Sequence, residues 1–194
     1  MGADSTITTA YTTVMTRSAC PTPSSVPGAV RRTSTSARVV RSHGPEDEDS
    51  TYAARCRSMV TALGLDEHIE FLGPRRVSEI YPQLDVLVLT SFSEGQPLVI
   101  LEAFAHGLPV VATDVGACRE LIEGSASDRK LGRSGIVTRV ASPTDTAAAL
   151  VQLAQQPSLR QAMGAVGAAR VATRYQLEQV LASYDSLYSC LVTS

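Results

Sequence analysis

Between about residue 50 and residue 156, short apolar runs of strand length alternate with longer segments of helical spacing. This alternation restricts the fold more than any other feature of the chain. DVLVLT (85–90) and PVVAT (109–113) are continuous apolar runs of the kind that a parallel sheet buries on both faces. HIEFL (68–72) and SGIVTRV (134–140) are further short strands. Between them stand RVSEIYPQ (76–83), a helical turn, LVILEAFAHG (98–107), a helix that stops at Gly107, and CRELIEG (118–124), which stops at Gly124. Three more helices follow, over 144–156, 157–174 and 176–191, and the last is expected to pack on the body of the fold. A regular strand–helix alternation predicts an α/β fold: a Rossmann-like parallel sheet with flanking helices. Ligands of such sheets sit at the carboxyl ends of the strands, on loops leading into helices.

The stretch before residue 44 is different in kind. Ser, Thr, Arg, Pro and Ala dominate residues 1–43, and PTPSSVPGAVRRTSTSAR has no apolar periodicity. Such a segment buries too little apolar surface to offset its ordering entropy, so 1–43 reads as low-complexity, disordered or non-homologous, and 44–194 as the folded domain. At GPEDED the character changes. Acids at a helix start suit the positive end of its dipole, which is a simpler account of Asp47, Glu48 and Asp49 than metal ligation. Tyr52, Cys56, Met59, Val60 and Leu63 then fall at helical spacing ahead of Gly64.

Composition closes several alternatives. With 17 basic and 19 acidic residues the chain has no cationic excess for nucleic acid. Its longest apolar runs are far too short for a transmembrane segment. The polar, Thr-rich start lacks the apolar core of a secretory signal. The four cysteines, Cys20, Cys56, Cys118 and Cys190, have no metal-ligand spacing and read as reduced thiols of a cytoplasmic protein. His106, on the helix after the site loop, reads as incidental, and Arg119 and Glu120 fit either a cleft lining or a surface ion pair.

The loop SFSEGQP (91–97) follows the strand DVLVLT and opens the next helix, so it lies where a ligand site is expected. Backbone N–H groups at Gln96, Leu98 and Val99 stand at a helix start, where the dipole favours an anion such as a diphosphate. Glu94 precedes these donors, and Glu102 lies about one turn into the helix. Ionised carboxylates accept only, which suits the vicinal hydroxyls of a ribose and a hexose. Amides for phosphate and carboxylates for hydroxyls together describe a nucleotide sugar. A helix-start acid plus a solvated surface acid remains the simpler alternative.

SFSEGQPLVILEAFAHGLPVVATDVGACRELIEG resembles the donor-binding signature of the family 4 retaining glycosyltransferases, whose fold is the two-domain GT-B. Their mark is two glutamates separated by seven residues, as Glu94 and Glu102 are. DEHIEFLGPRR and DVLVLTS match the segments upstream of it. GPEDEDSTYAARCRSMVTALGL and SDRKLGRSG bring the likeness nearest to the Pel exopolysaccharide glycosyltransferases. The resemblance spans about residues 44–192. It implies the C-terminal, donor-binding half of a GT-B fold, and transfer of a hexosyl group from a nucleotide sugar, with UDP-glucose as the implied donor and a growing polysaccharide as acceptor. Glu102 would bind ribose hydroxyls. Glu94, the candidate catalytic residue, would contact the transferred sugar near Gly95, Gln96 and Pro97. The amides of Leu98 and Val99 would face the diphosphate, and Pro74 with Arg75 would receive the base. The implied chemistry is metal-independent, without a cofactor, and proceeds by attack on the face the leaving group departs from, without a protein nucleophile.

The chain also departs from this pattern. The family opens the domain with a strand, a loop whose Arg and Lys neutralise the diphosphate, a helix, and a second strand leading into GPEDED. Arg31, Arg32, Arg38 and Arg41 are present, but their surroundings do not match that context. The domain is therefore expected to be incomplete at its N-terminus, with residues 1–43 joined to a genuine fragment. The opposing GT-B domain, toward which the family's last helix crosses, is expected as a separate partner or part of a polysaccharide-synthesis complex. Two lost charge-assisted phosphate contacts would cost about 1.5–3 kcal/mol each, so little transfer is expected of the chain alone. A non-catalytic nucleotide-sugar-binding module is the alternative.

Overall fold

The computed structural model describes residues 12–16, 39–43, 50–72 and 76–192. They fall into two compact units, residues 1–90 and 91–194.

The first unit contains β1 (Thr12–Thr16), β2 (Val39–His43), α1 (Ser50–Ala62), β3 (Ile69–Phe71), α2 (Val77–Ile80), a 3-10 turn (Tyr81–Gln83) and β4 (Leu84–Leu89). Its strands lie in the order β3-β2-β1-β4, the first four positions of the doubly wound order. β2 and β3 pair in parallel, with Val40 opposite Ile69. β1 runs antiparallel to both its neighbours, with Met15 opposite Val40 on one side and Val86 on the other. Both β1 and β2 come from the stretch ahead of residue 44. β2 stands where the resemblance implies a second strand before GPEDED. Its only sequence signal is the β-branched pair Val39–Val40, too short to register against a Ser/Arg-rich background. In β4, Leu84 and Val86 to Leu89 are buried, as a strand covered on both faces requires.

Helix α1 forms and stops at Gly64, whose φ of +65° is the left-handed conformation of a C-terminal stop. Its buried line differs from the predicted one. Ala53 is buried and Cys56 and Val60 are half-buried, whereas Tyr52, Met59 and Leu63 are exposed. Ala53 is the residue this helix buries, and Arg57, four residues on along the same face, places its guanidinium 4.6 Å above the Phe71 ring. Asp47, Glu48 and Asp49 lie outside the described residues.

The second unit contains α3 (Leu98–Ala105), β5 (Val110–Thr113), α4 (Cys118–Glu123), a 3-10 turn (Arg129–Leu131), β6 (Gly135–Thr138), α5 (Pro143–Gln155), α6 (Pro157–Arg174) and α7 (Leu177–Val192). β5 and β6 pair in parallel with Val110 opposite Gly135. Helix α5 starts on Ser142, whose Oγ accepts from the Asp145 N–H, with Pro143 in the first turn. Helix α3 buries Ile100, Ala103 and Phe104, an i, i+3, i+4 line. α6 meets it with glycines: a Cβ on Gly164 would lie 2.0 Å from the Gly107 carbonyl oxygen, and one on Gly167 would lie 2.6 Å from the Phe104 ring. The α6 backbone therefore lies directly against the Gly107 carbonyl just past α3 and against the Phe104 ring.

The stretch SDRKLGRSG builds a cage around Arg170 of α6, which is wholly buried. The guanidinium donates from Nε to Asp128 Oδ2 at 2.7 Å and from Nη2 to the Gly132 carbonyl at 2.7 Å. Nη1 donates to Ser134 Oγ at 2.8 Å and to the carbonyls of Leu121 and Ile122, both at 3.1 Å. Asp128 also accepts from the N–H and the hydroxyl of Ser125. Burial raises the Asp128 carboxyl, but the bonds from Ser125 and Arg170 outweigh it and hold the group below its ordinary value.

The last helix does not pack as predicted: residues 177–191 of α7 are all exposed. Leu177, Val180, Leu181, Tyr184, Leu187, Tyr188 and Leu191 do form one apolar stripe. Periodicity shows that a helix has an apolar face and leaves open which surface that face meets.

Candidate functional site

The loop Ser91–Pro97 and the start of α3 form the site, all within the second unit. Ser91 is buried, and its Oγ donates to Glu94 Oε1 at 2.6 Å. The Ser91 carbonyl in turn accepts from Thr113 Oγ1, at the end of β5, at 2.6 Å. No described residue donates to the other Glu94 oxygen, Oε2. Glu94 is half-buried, so this oxygen belongs to a carboxylate partly open to a ligand.

The loop following β5 secures the backbone beside Glu94. Ala117 N–H donates to the Gly95 carbonyl at 2.8 Å. Gly116 has φ +50°, and a Cβ there would lie 2.1 Å from the Glu94 carbonyl oxygen and 2.5 Å from that of Gly95. Only glycine permits so close an approach in that conformation.

Pro97 is the N-cap of α3 with extended backbone and offers no side-chain cap. Leu98 and Val99 are the first two helical residues, so their N–H groups have no partner within the helix. Leu98 is 67% exposed, and Glu102, four residues on, is half-buried on the same helix face. Gly95 and Gln96 are exposed and Pro97 is buried. The structure thus brings Glu94, Gly95, Gln96, Pro97, Leu98, Val99 and Glu102 to one loop and helix start. Pro74 and Arg75 lie outside the described residues. His106 is exposed at the far end of α3, its Nδ1 donating to the Glu102 carbonyl at 2.9 Å, as a helix C-terminus invites.

Ser91, Thr113 and Gly116 also belong to the site and are not singled out by the sequence. The polar residues flanking an apolar strand carried a weak signal for Ser91 and Thr113, and Gly116 was indistinguishable from any loop glycine.

Arg119 is ion-paired and also lines a cleft, so both readings hold. It forks onto Asp114 at 3.0 and 2.6 Å and reaches Glu123 at 3.4 Å. The hydrogen bond from Arg119 lowers the Asp114 carboxyl. A second fork, Arg139 onto Asp145 at 2.6 and 3.0 Å, pulls Asp145 down to about 2. Both pairs line an open cleft of about 370 Å³ alongside β6 and α5. Cys118 is buried, and desolvation first of all pushes its thiol up to about 11, against a backbone hydrogen bond from Val115 that lowers it. No group of three His, Cys, Asp or Glu able to hold a metal occurs among the described residues. No helix among them is long and apolar enough to cross a membrane.

Comparison with known proteins gives concordant results. Residues 29–156 match the family model described as glycosyl transferases group 1, a match that begins inside the stretch ahead of residue 44. An N-acetyl-alpha-D-glucosaminyl L-malate synthase of Bacillus anthracis is 29% identical over 67% of this chain and 32% of its own. A D-inositol 3-phosphate glycosyltransferase of Corynebacterium jeikeium is 35% identical over 57% of this chain and 25% of its own. The chain therefore spans about a third or less of those two enzymes. Among solved structures, the C-terminal domain of a glycosyl transferase group 1 family protein, LpcC from Francisella tularensis, superposes with TM-score 0.57 at 29% identity, covering 69% of this chain and 66% of that one. Anabaena HepE in complex with UDP-glucose shares the fold, with TM-score 0.65 and 22% identity over 73% of this chain and 38% of that one.

Proposed function

Since the chain belongs to the glycosyl transferases group 1 family, we propose that it is the donor-binding part of a sugar transferase, with the nucleotide sugar seated on the loop Ser91–Pro97 and the start of α3. The observation that carries this reading is the arrangement of acceptors around unspent donors. Glu94 offers a carboxylate oxygen at the loop, Leu98 and Val99 offer uncapped amides, and Glu102 follows on the face of Leu98.

In this reading the amides and the positive helix end hold the diphosphate and stabilise the charge that develops on it as the glycosidic bond breaks. Glu102 accepts from the ribose, Leu98 covers the nucleoside, and Glu94 accepts from hydroxyls of the transferred sugar. Arg75 and Pro74 receive the base. The finer reading is a retaining, metal-independent transfer from UDP-glucose to a polysaccharide of the Pel type in the cytoplasm, completed by a second GT-B domain. The likeness of the sequence blocks supports it, as does the similarity to HepE, whose structure holds UDP-glucose.

Isothermal calorimetry with UDP-glucose, UDP, GDP-mannose and ADP-glucose tests the site. UDP-glucose and UDP are expected to bind the chain, and Glu102→Ala to weaken both about tenfold or more, the cost of one hydrogen bond to a charged group. Binding of none of the four nucleotides would overturn the reading.

A further inference from the structure

The structure assigns Ser91 as the positioning residue for Glu94, through a relay that runs from β5 into the site. This rests on the donor site proposed above and adds to it the device that aims the sugar-contacting carboxylate.

A glutamate has three side-chain torsions, and one in a loop ordinarily samples many arrangements. Glu94 is held on both sides. Its backbone is pressed by Gly116, where even a methyl group would lie 2.1 Å from the Glu94 carbonyl oxygen, and its neighbour Gly95 is tied to Ala117. Its carboxylate is held by the Ser91 hydroxyl at 2.6 Å, a short, charge-assisted bond. A hydroxyl has one proton to donate, and the ionised carboxylate can only accept, so the direction of this bond is settled. Ser91 is itself fixed, because it is buried and its carbonyl accepts from the buried Thr113 at 2.6 Å. The chain of contacts Thr113–Ser91–Glu94 therefore starts in a buried strand and ends on Oε1, so that Oε2 is the oxygen presented to a sugar hydroxyl. Glu94 touches the donor sugar, and Ser91 acts only through it.

Glu94 meets the sugar and not the nucleotide, so loss of the relay should weaken UDP-glucose and spare UDP. The test is an NMR titration of the Gly95 and Gln96 amide signals in the full chain with each ligand, a readout that reaches millimolar affinities. Wild type is expected to bind UDP-glucose more tightly than UDP. Ser91→Ala should lose about tenfold in UDP-glucose affinity with UDP unchanged, the size expected for one hydrogen bond to a charged group. Ser91→Thr, which keeps the hydroxyl, should restore the preference. Should Ser91→Ala fail to fold, Ser91→Cys, a weak donor in the same volume, takes its place with the same expectation. A sugar preference that survives in the Ala or Cys variant overturns the assignment, as does an equal loss for both ligands or a folded Thr variant that behaves like Ala. If wild type binds UDP and UDP-glucose equally, the sugar contact of Glu94 falls, and this inference with it, while the nucleotide seat stands. If wild type binds neither, it is the donor site itself that falls.

Discussion

Replacing Arg170 by Met keeps most of the side-chain volume and removes the charge. Asp128, only 6% exposed, would then be a buried carboxylate whose remaining hydrogen-bond partner among the described residues is Ser125. Ser134 Oγ and the carbonyls of Leu121, Ile122 and Gly132 would each lose a donor. Breaking a buried pair by removing one partner costs about 3–5 kcal/mol, because the other charge stays buried without compensation. For a unit of about 100 residues this corresponds to a fall in Tm of roughly 12–40 °C, at about 4–8 °C per kcal/mol. Urea unfolding followed by circular dichroism reads the change directly. pH supplies an independent check. Asp128 is held below its ordinary value when folded, so as pH falls the unfolded chain takes up its proton first and the native state loses stability. That contribution is fully present above the ordinary carboxylate range and is lost as pH drops toward the folded value. In Arg170→Met only the Ser125 bonds still oppose burial, so this part of the acid sensitivity should shrink. A loss below about 1 kcal/mol with an unchanged urea slope would refute the argument and make the cage ornamental to stability.

Two further outcomes follow from the same geometry. Gly116→Ala puts a Cβ on the Glu94 and Gly95 carbonyls at a positive φ, so the loop must move. Its expected signature is displaced Gly95 and Gln96 amide signals in NMR, with UDP-glucose affinity falling by an order of magnitude or more. In a variant with Cys20, Cys56 and Cys190 replaced by serine, Cys118, buried with its thiol pushed up to about 11, should resist Ellman's reagent at pH 8 until urea unfolds the chain; labelling at the rate of a free thiol in native buffer would contradict it.

The parts legible in the sequence are those where one local rule decides. DVLVLT and PVVAT became β4 and β5 because strands covered on both faces read as unbroken apolar runs. Glu94 and Glu102 came to one helix start because a loop and one helical turn separate them, and no long-range contact is needed to predict that. Harder to see were features made by residues far apart in the chain. Arg170 reads as one more surface charge on α6 until Asp128, Gly132 and Ser134 close around it. Ser91 looks like an ordinary turn residue until Thr113, 22 positions later, fixes its carbonyl. β2 is carried by two valines and by its partners, and the pairing partners of a strand are invisible to composition. The exposed stripe of α7 shows the same limit from the other side.

The glycine contact between α3 and α6 makes α3 a lever. Its fulcrum is the far end, where Gly107 rests on Gly164, and its free end carries the amides of Leu98 and Val99. Eight residues at 1.5 Å each give an arm of about 12 Å, so a tilt of about 10° at the fulcrum swings the amide end by about 2 Å. Productive sites tolerate displacements of about 0.5 Å. A methyl group added to α6 at Gly164 would thus be amplified into a displaced amide end of α3, so in the proposed donor site variation at position 164 would be constrained by binding as well as by packing.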